Sequence, residues 1–468
     1  MASHPLSTDG SYPPGPSRPR GLLASAQPAI GIFRDPIGFV SRRFDRYGDI
    51  YYVPNDDGGL YVLRHPEHVT DVLVTNASKF RKTHTSSAKL SEFLGDALLT
   101  NEGDAWRRQR RMVGPAFHRD RLAGYADVMV EETRSTASTW QSGEVRDVAR
   151  DMMSLTLRMV SRTLFGRRVA DAEISDVARA MRVAQRSLWL PKWLFSVYRP
   201  RIHRARGAVD AILRRHTHEK RELRGASSHA SSPSSPPDLL DALLRAVDVE
   251  GDGGGLTDAE VRDLLTTFFV AGHETTALAL TWSLYLLSQN PDAARKLHSE
   301  LDAVLGARAV TYDDLPKLPY TRQVVLEAMR LYPPAYVVAR RAHEPTNIGG
   351  YAVAGGSEVV IWIYMMHRHP RFYPEPDRFM PERFTEENEA ERPKNAYLPF
   401  GGGARVCIGK AFAMLEAELV LATLCQRFRF DLVPGHRVEP APRITLVPKY
   451  GMRMTLAPAP AGRTRGSG

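Results

Sequence analysis

The sequence predicts a mainly α-helical protein with small β-sheets at its periphery. Three observations carry this. Helix-compatible segments fill residues 66–223. The strongest single element, from 258 to about 288, is long and apolar on nearly all sides after Leu264. The β-prone runs, by contrast, are short. With 468 residues, 43% of them apolar and 25% charged, the chain has material for a large core. No repeat at a fixed period is visible, which argues against a solenoid or propeller.

Taken in order, residues 1–28 are rich in Ser, Pro and Gly and read as a flexible tail, with neither a signal peptide nor a membrane anchor. Ile50–Val53 and Leu60–Leu63 read as a hairpin around Asn55–Asp56–Asp57–Gly58–Gly59. A low-complexity Ser/Pro-rich loop, 225–237, is expected to be mobile and to lie inside a domain. Thr257 and Glu260 have capping-box spacing at the start of the long helix, and Asn290–Pro291 punctuates its end. Asn290 is expected to cap a helix from Pro291 to Gly306. A third helix holds Arg322 to Leu331 and stops at Pro333–Pro334. Short β-like runs and a loop-rich stretch then lead to a helix from about 408 to 428. The expected organisation is one domain, 29–460, with a C-terminal tail, 461–468. The stretch 277–287 contains Thr281 and Ser283 and is too short to span a bilayer, so a cytoplasmic monomer is expected.

Lysine and arginine number 63 against 53 acidic residues, a formal charge of +10. An arginine-rich solvated surface explains this, and no interleaving of basic and aromatic residues points to nucleic acid. Two cysteines are too few for a disulfide framework. Cys425 lies in an apolar run and reads as a buried small hydrophobe. Cys407 needs a different explanation, because it sits among glycines beside Arg405.

That segment is Phe400–Gly401–Gly402–Gly403–Ala404–Arg405–Val406–Cys407–Ile408–Gly409. Its glycines let the backbone approach a flat ligand closely. A helix start and Arg405 near Cys407 favour thiolate over thiol. Such a thiolate can be a nucleophile, a redox thiol or a metal ligand. The first wants a histidine partner, the second another cysteine, and zinc wants more ligands.

The segment resembles the haem signature of the cytochrome P450 family at Phe400, Gly403, Arg405, Cys407 and Gly409. Four further matches follow the family's order. Glu327 and Arg330 match its Glu–x–x–Arg, with Arg383 downstream. Ala271–Gly272–His273–Glu274–Thr275–Thr276 matches its oxygen-activating motif. Trp106 and Arg110 match its Trp–x–x–x–Arg, and Pro333–Pro334 leads to Arg340. The resemblance implies the P450 fold, a triangular prism with haem b between the long central helix and the loop of the cysteine ligand. It implies Cys407 on the iron, with Arg405, Arg340, Trp106 and Arg110 as propionate partners. Glu327, Arg330 and Arg383 would form a buried bracing network. Glu274 and Thr275 would deliver protons, Ala271 and Thr275 would share a helix face, and Gly272 would permit a local distortion. His273 reads as packing. His367 reads equally as haem-side network or structural histidine. Arg107, Arg108 and Arg111 read as surface charge facing an acidic donor.

The implied activity is insertion of one atom of O2 into a hydrophobic molecule by a soluble, bacterial-type enzyme, with electrons from a separate ferredoxin or flavodoxin. A peroxide-dependent peroxygenase, a haem-thiolate isomerase and a non-enzymatic haem protein are the alternatives. Phe93, Leu94, Leu98, Leu99, Phe268, Ala335, Tyr336, Val337, Val338 and Tyr450 are the candidate pocket lining. A terpenoid or fatty acid is expected, with steroid- or polyketide-like molecules as other options.

Overall fold

Strands of about four residues cannot stand alone in water and must join a wider sheet or pack on helices. The computed structural model describes residues 12–18, 31–32, 34–55, 58–166, 170–188, 190, 192–226, 238–251 and 253–460. Helices of more than six residues, and the strands, are numbered in chain order. The first are α1 (Pro36–Tyr47), β1 (Ile50–Val53), β2 (Leu60–Leu63), β3 (Phe80–Arg81), α2 (His84–Leu94), α3 (Gly103–Val113), α4 (Arg119–Ser138), β4 (Val145–Asp147) and α5 (Val148–Phe165). Next come α6 (Asp171–Leu188), α7 (Lys192–Ala226), α8 (Asp258–Gln289), α9 (Pro291–Val304), α10 (Pro319–Leu331), β5 (Val338–Ala342), β6 (Thr346–Ile348), β7 (Tyr351–Val353) and β8 (Glu358–Ile361). Last are α11 (Lys410–Arg427), β9 (Phe428–Leu432), β10 (Pro440–Pro442), β11 (Leu446–Pro448) and β12 (Arg453–Pro458).

The chain divides into two compact units. One comprises Met1–Thr85, Arg330–Arg378 and Glu386–Cys407. It holds a five-stranded sheet in the order β1-β2-β8-β5-β3, parallel between β2 and β8 and antiparallel elsewhere. The expected hairpin forms with Ile50 opposite Leu63 and Val53 opposite Leu60. Tyr61, Leu63, Val359 and Ile361 of the sheet pack with Val69 and Leu73 as its core. The expected N-terminal tail departs from a loose segment at 12–18. There Tyr52 N donates to Pro14 O at 3.0 Å and Tyr12 stacks on Tyr52, because β1 offers an edge and an aromatic face.

The second unit comprises Ser86–Met329, Phe379–Thr385 and Ile408–Gly468. It is mainly helical, with two antiparallel sheets, β4-β12-β9 and β10-β11. Helix α8 packs along α5, joining Leu264, Leu265 and Phe269 to Leu157, Val160 and Leu164 in one core. Its N-terminus is closed by the expected capping box: the Thr257 hydroxyl accepts from Glu260 N while the Glu260 carboxylate accepts from Thr257 N at 2.8 Å. Its far end is buried too, and Trp282 donates its indole N–H to Leu446 O at 3.0 Å.

Helix boundaries depart from expectation where distant groups act. Asn290 precedes α9, but its side chain makes no cap and donates instead to Leu286 O at 2.8 Å. Helix α10 starts at Pro319, before the expected Arg322, because the Glu300 carboxylate accepts from the N–H groups of Tyr320 and Thr321 at 2.6 and 2.8 Å. Of the Ser/Pro-rich loop, Gly225 and Ala226 end α7, and 227–237 lie outside the described residues, as do 461–468. Among the described residues no helix is long and apolar enough to cross a membrane.

Candidate active site

The glycine run before α11 is a tight loop whose geometry needs its glycines. Gly401 and Gly403 have φ of +71° and +65°, and a Cβ on Gly403 would lie 1.9 Å from Leu73 O. A 3₁₀ turn, Gly403–Arg405, follows, and Cys407 N donates to Phe400 O at 2.9 Å, closing the loop on itself. Cys407 is exposed, whereas Cys425 is buried and its thiol pushed up to about 12 by desolvation. The two cysteines therefore separate as their sequence contexts predict. Gly409 immediately precedes the first residue of α11, Lys410. Among the described residues no three His, Cys, Asp or Glu side chains gather as a metal-holding group. A lone thiol of this kind suits a metal that arrives with its other ligands.

In mid-α8 the burial pattern breaks. Phe268 and Thr275 are half-buried and Ala271 is exposed, on a helix buried from Thr276 to Leu284. These three recur at helical spacing and form an open, largely apolar stripe. The Thr275 hydroxyl donates to Ala271 O at 2.8 Å, so the two do share a face. Helix α8 runs continuously through Gly272. The missing side chain of Gly272 lets α5 approach closely, because a Cβ there would sit 3.3 Å from Val160 Cγ2. Glu274 is buried, and its Oε1 accepts from the Thr445 hydroxyl at 2.7 Å. His273 donates its Nδ1–H to Phe269 O at 2.9 Å, and burial brings its pKa down to about 4. It is neutral packing, as expected.

Of the charged residues expected to brace the loop, Glu327 and Arg330 are buried and Arg383 is half-buried. Glu327 accepts from Met380 N at 2.9 Å and lies 3.4 Å from Arg383 Nε. Arg330, fully buried, donates to the carbonyls of His367, Pro376 and Arg378 at 2.8, 2.7 and 3.1 Å. His367 is structural: its Nε2 accepts from Leu398 N at 2.8 Å, and burial, then the nearby Arg330, holds its pKa well below the usual value.

Trp106 and Arg110 lie one turn apart on α3, both half-buried. Their neighbours Arg107 and Arg111 are exposed and Arg108 is half-buried. Arg107 pairs with Asp104 at 2.5 Å, Arg108 with Glu260 at 2.9 Å, and Arg111 with the buried Asp248 at 3.0 Å. Arg108 and Arg111 thus tie α3 to the start of α8 and to the segment before it. Arg340, on β5, donates to Ala339 O at 2.9 Å, and Arg405 closes the 3₁₀ turn. Of the candidate lining, Phe93 and Leu94 are core residues, with Leu98 and Phe268 packed against the same cluster. Leu99 and Tyr450 are exposed, Tyr336 is buried, and Ala335, Val337 and Val338 are half-buried.

Two residues escaped the sequence reading. Thr445, the partner of Glu274, is 171 positions away and leaves no local signal. Glu416 on α11 is fully buried, and neither of its carboxylate oxygens has a well-formed hydrogen bond. Burial raises its pKa to about 8, against the lowering effect of the nearby Thr276 hydroxyl. A carboxylate inside an apolar helical run, with Glu418 two residues on, was its available signal.

A model of the family described as Cytochrome P450 matches residues 14–455. The chain is 37% identical to the cyclooctatin synthase of Streptomyces melanosporofaciens, over 91% of this chain and 92% of the relative. It is 33% identical to the same organism's cyclooctat-9-en-7-ol 5-monooxygenase, over 90% and 92%. It is 31% identical to the pentalenene oxygenase of Streptomyces avermitilis, over 95% and 98%.

Proposed function

The chain belongs to the cytochrome P450 family, and on that premise we propose that it oxygenates a terpenoid, with Cys407 as the thiolate ligand of haem b. It is a haem-thiolate monooxygenase, an oxidoreductase that takes a hydrophobic substrate, O2 and electrons from a redox partner. The observation that carries the ligand assignment is the exposed thiol on a loop folded tight by glycines. The residues fit haem on two counts. A flat apolar macrocycle needs a surface free of bulky side chains, as the Cys407 loop and the Ala271 stripe each offer. Its iron needs one protein thiolate, and Cys407 is a lone exposed one.

When bound, the haem activates O2, and a thiolate ligand donates electron density that favours O–O cleavage. Phe400, Gly403 and Gly409 shape the loop that presents Cys407. Arg405, Arg340, Trp106 and Arg110 are the donors for the propionates. The Thr275 hydroxyl, with its proton directed at Ala271 O, keeps its lone pairs for a proton-bearing water and can pass a proton on by rotating. The Thr445 hydroxyl holds the Glu274 carboxylate in place as a proton store beside Thr275 in the chain. Phe268 is the apolar residue of the α8 stripe that suits a hydrophobic substrate. The names of the relatives support cyclic terpenoids over fatty acids. The electron donor is a separate ferredoxin or flavodoxin, and the protein works in the cytoplasm as one domain, 29–460, a reading supported by a single family match across 14–455.

The test is a carbon monoxide difference spectrum of the reduced protein beside Cys407→Ser. The long-wavelength Soret band of thiolate-ligated haem is expected in the wild type and lost in the variant; its survival without Cys407 overturns the ligand assignment. Spin-state titration with cyclic terpenoids and with fatty acids of similar size then tests the substrate. A shift confined to fatty acids would overturn the terpenoid reading.

A further inference from the structure

Charge is concentrated on one helix outside the site. Ten of the chain's 63 Lys and Arg residues, and only three of its 53 Asp and Glu residues, fall within α7, which therefore carries +7 of the formal +10. Its inner face buries Ile202, Val209, Ile212 and Leu213 in the core. Its outer face, read at helical spacing, runs Val197, Arg201, Arg204, Ala208, Ala211 and Arg214, all exposed.

Most other cations of α7 are committed. Arg199 pairs with Glu92 at 2.7 Å, Arg206 with Asp263 at 3.1 Å, Lys220 with Asp238 at 2.5 Å, and Arg215 with Glu173. Arg201 contacts only the ring of Tyr198, and Arg204 and Arg214 have no carboxylate within ion-pair distance among the described residues. The row from Arg201 to Arg214 spans about 20 Å at the rise of an α-helix. At its N-terminal end Val197 stands 72% exposed, and Pro200 is exposed beside it. Arg201, Arg204 and Arg214 fan out across the exposed side of a convex helix instead of converging, so they cradle no small anion; they match a broad anionic surface. An acidic protein would complement the arginines, but it gives no account of a bare valine in the same row. A lipid surface accounts for both, since headgroups meet the arginines while Val197 enters the acyl boundary.

We infer that the outer face of α7 docks this enzyme reversibly on an anionic phospholipid surface. The inference stands apart from the haem chemistry and from the substrate.

The experiment is co-sedimentation of the full holoprotein with vesicles of phosphatidylcholine and phosphatidylglycerol in equal parts, against vesicles of phosphatidylcholine alone. At low ionic strength the protein sediments with the mixed vesicles only. It is released near 0.5 M salt, where the screening length falls to about 4 Å. The combined variant Arg201→Glu, Arg204→Glu, Arg214→Glu lowers the partition coefficient more than tenfold. Arg295→Glu, Lys317→Glu, Arg437→Glu makes the same change in net charge at exposed positions elsewhere and leaves it within about twofold. An unchanged carbon monoxide spectrum establishes that both variants are folded. Equal binding to neutral vesicles, no binding at all, or equal losses in the two variants overturns the inference. So does a ridge variant that keeps its vesicle binding but loses a complex with an acidic protein, which assigns the face to that partner instead.

Discussion

Arg330 shows how far one side chain can organise a loop-rich region. Its guanidinium gathers three main-chain carbonyls, from His367, Pro376 and Arg378, that have no regular ladder to join. Replacing it with methionine keeps the volume and strands all three acceptors. The loss should be about 3–5 kcal/mol, as for breaking a buried charge arrangement. The expected outcome for Arg330→Met is a protein that purifies with little haem and unfolds at markedly lower urea; normal haem content and an unchanged midpoint would remove its structural role. Thr275 is a contrasting case, since its hydroxyl is half-exposed and bonded only locally, to Ala271 O. Thr275→Ala should fold normally and divert electrons to hydrogen peroxide, with Thr275→Ser restoring most product. Measuring peroxide and product per electron donor oxidised checks this, and unchanged coupling in the alanine variant would end the proton-delivery assignment.

At the scale of elements, α11 carries carboxylates where its neighbours are apolar. Burial raises Glu416 to about 8 and Glu418 to about 7, the latter against the opposing charge of Arg322. A raised carboxyl means the folded chain holds a proton that the unfolded chain has released above about 4.5. The folded state therefore binds more protons across pH 4.5 to 8, and stability falls as pH rises through that window. Glu416→Gln removes the penalty. Its stability relative to wild type should rise by about 3 kcal/mol from pH 5 to pH 8, read from urea midpoints; a gap that does not change with pH would show that Glu416 does not titrate there. The same helices show what a sequence reveals. The start of α8 was legible because Thr257 and Glu260 cap it within one turn. The start of α10 was not, because Glu300 caps it from another helix. Cys407, Thr275 and the Glu327–Arg383 contact were legible through local motifs. Thr445, Asp248 and the close approach of Val160 to Gly272 depend on which elements pack together, and no local pattern encodes that.

At the scale of the whole molecule, subtracting α7 leaves only +3 for the rest of the chain, so one helix carries most of the net basic charge. That bears on how the enzyme meets its two kinds of partner. A membrane-docked monooxygenase would draw an apolar substrate from the lipid in which it concentrates, while its electron donor approaches from water. Arg107 and Arg111 stay exposed on α3 while paired with Asp104 and Asp248, so an electron donor would meet partly neutralised charge there. Electrostatic docking of that kind changes encounter more than chemistry. Raising salt from about 0.05 M to 0.3 M should therefore raise KM for an acidic ferredoxin severalfold and leave kcat nearly unchanged. In detergent-free solution without vesicles, the variant carrying glutamate at 201, 204 and 214 should show the same donor KM as wild type, because its lost charges serve the lipid. Steady-state turnover with titrated ferredoxin, at both salt concentrations, separates the two surfaces. A donor KM that climbs in the α7 variant would mean that the ridge and the donor site are one surface, and that electrons and lipid compete for it.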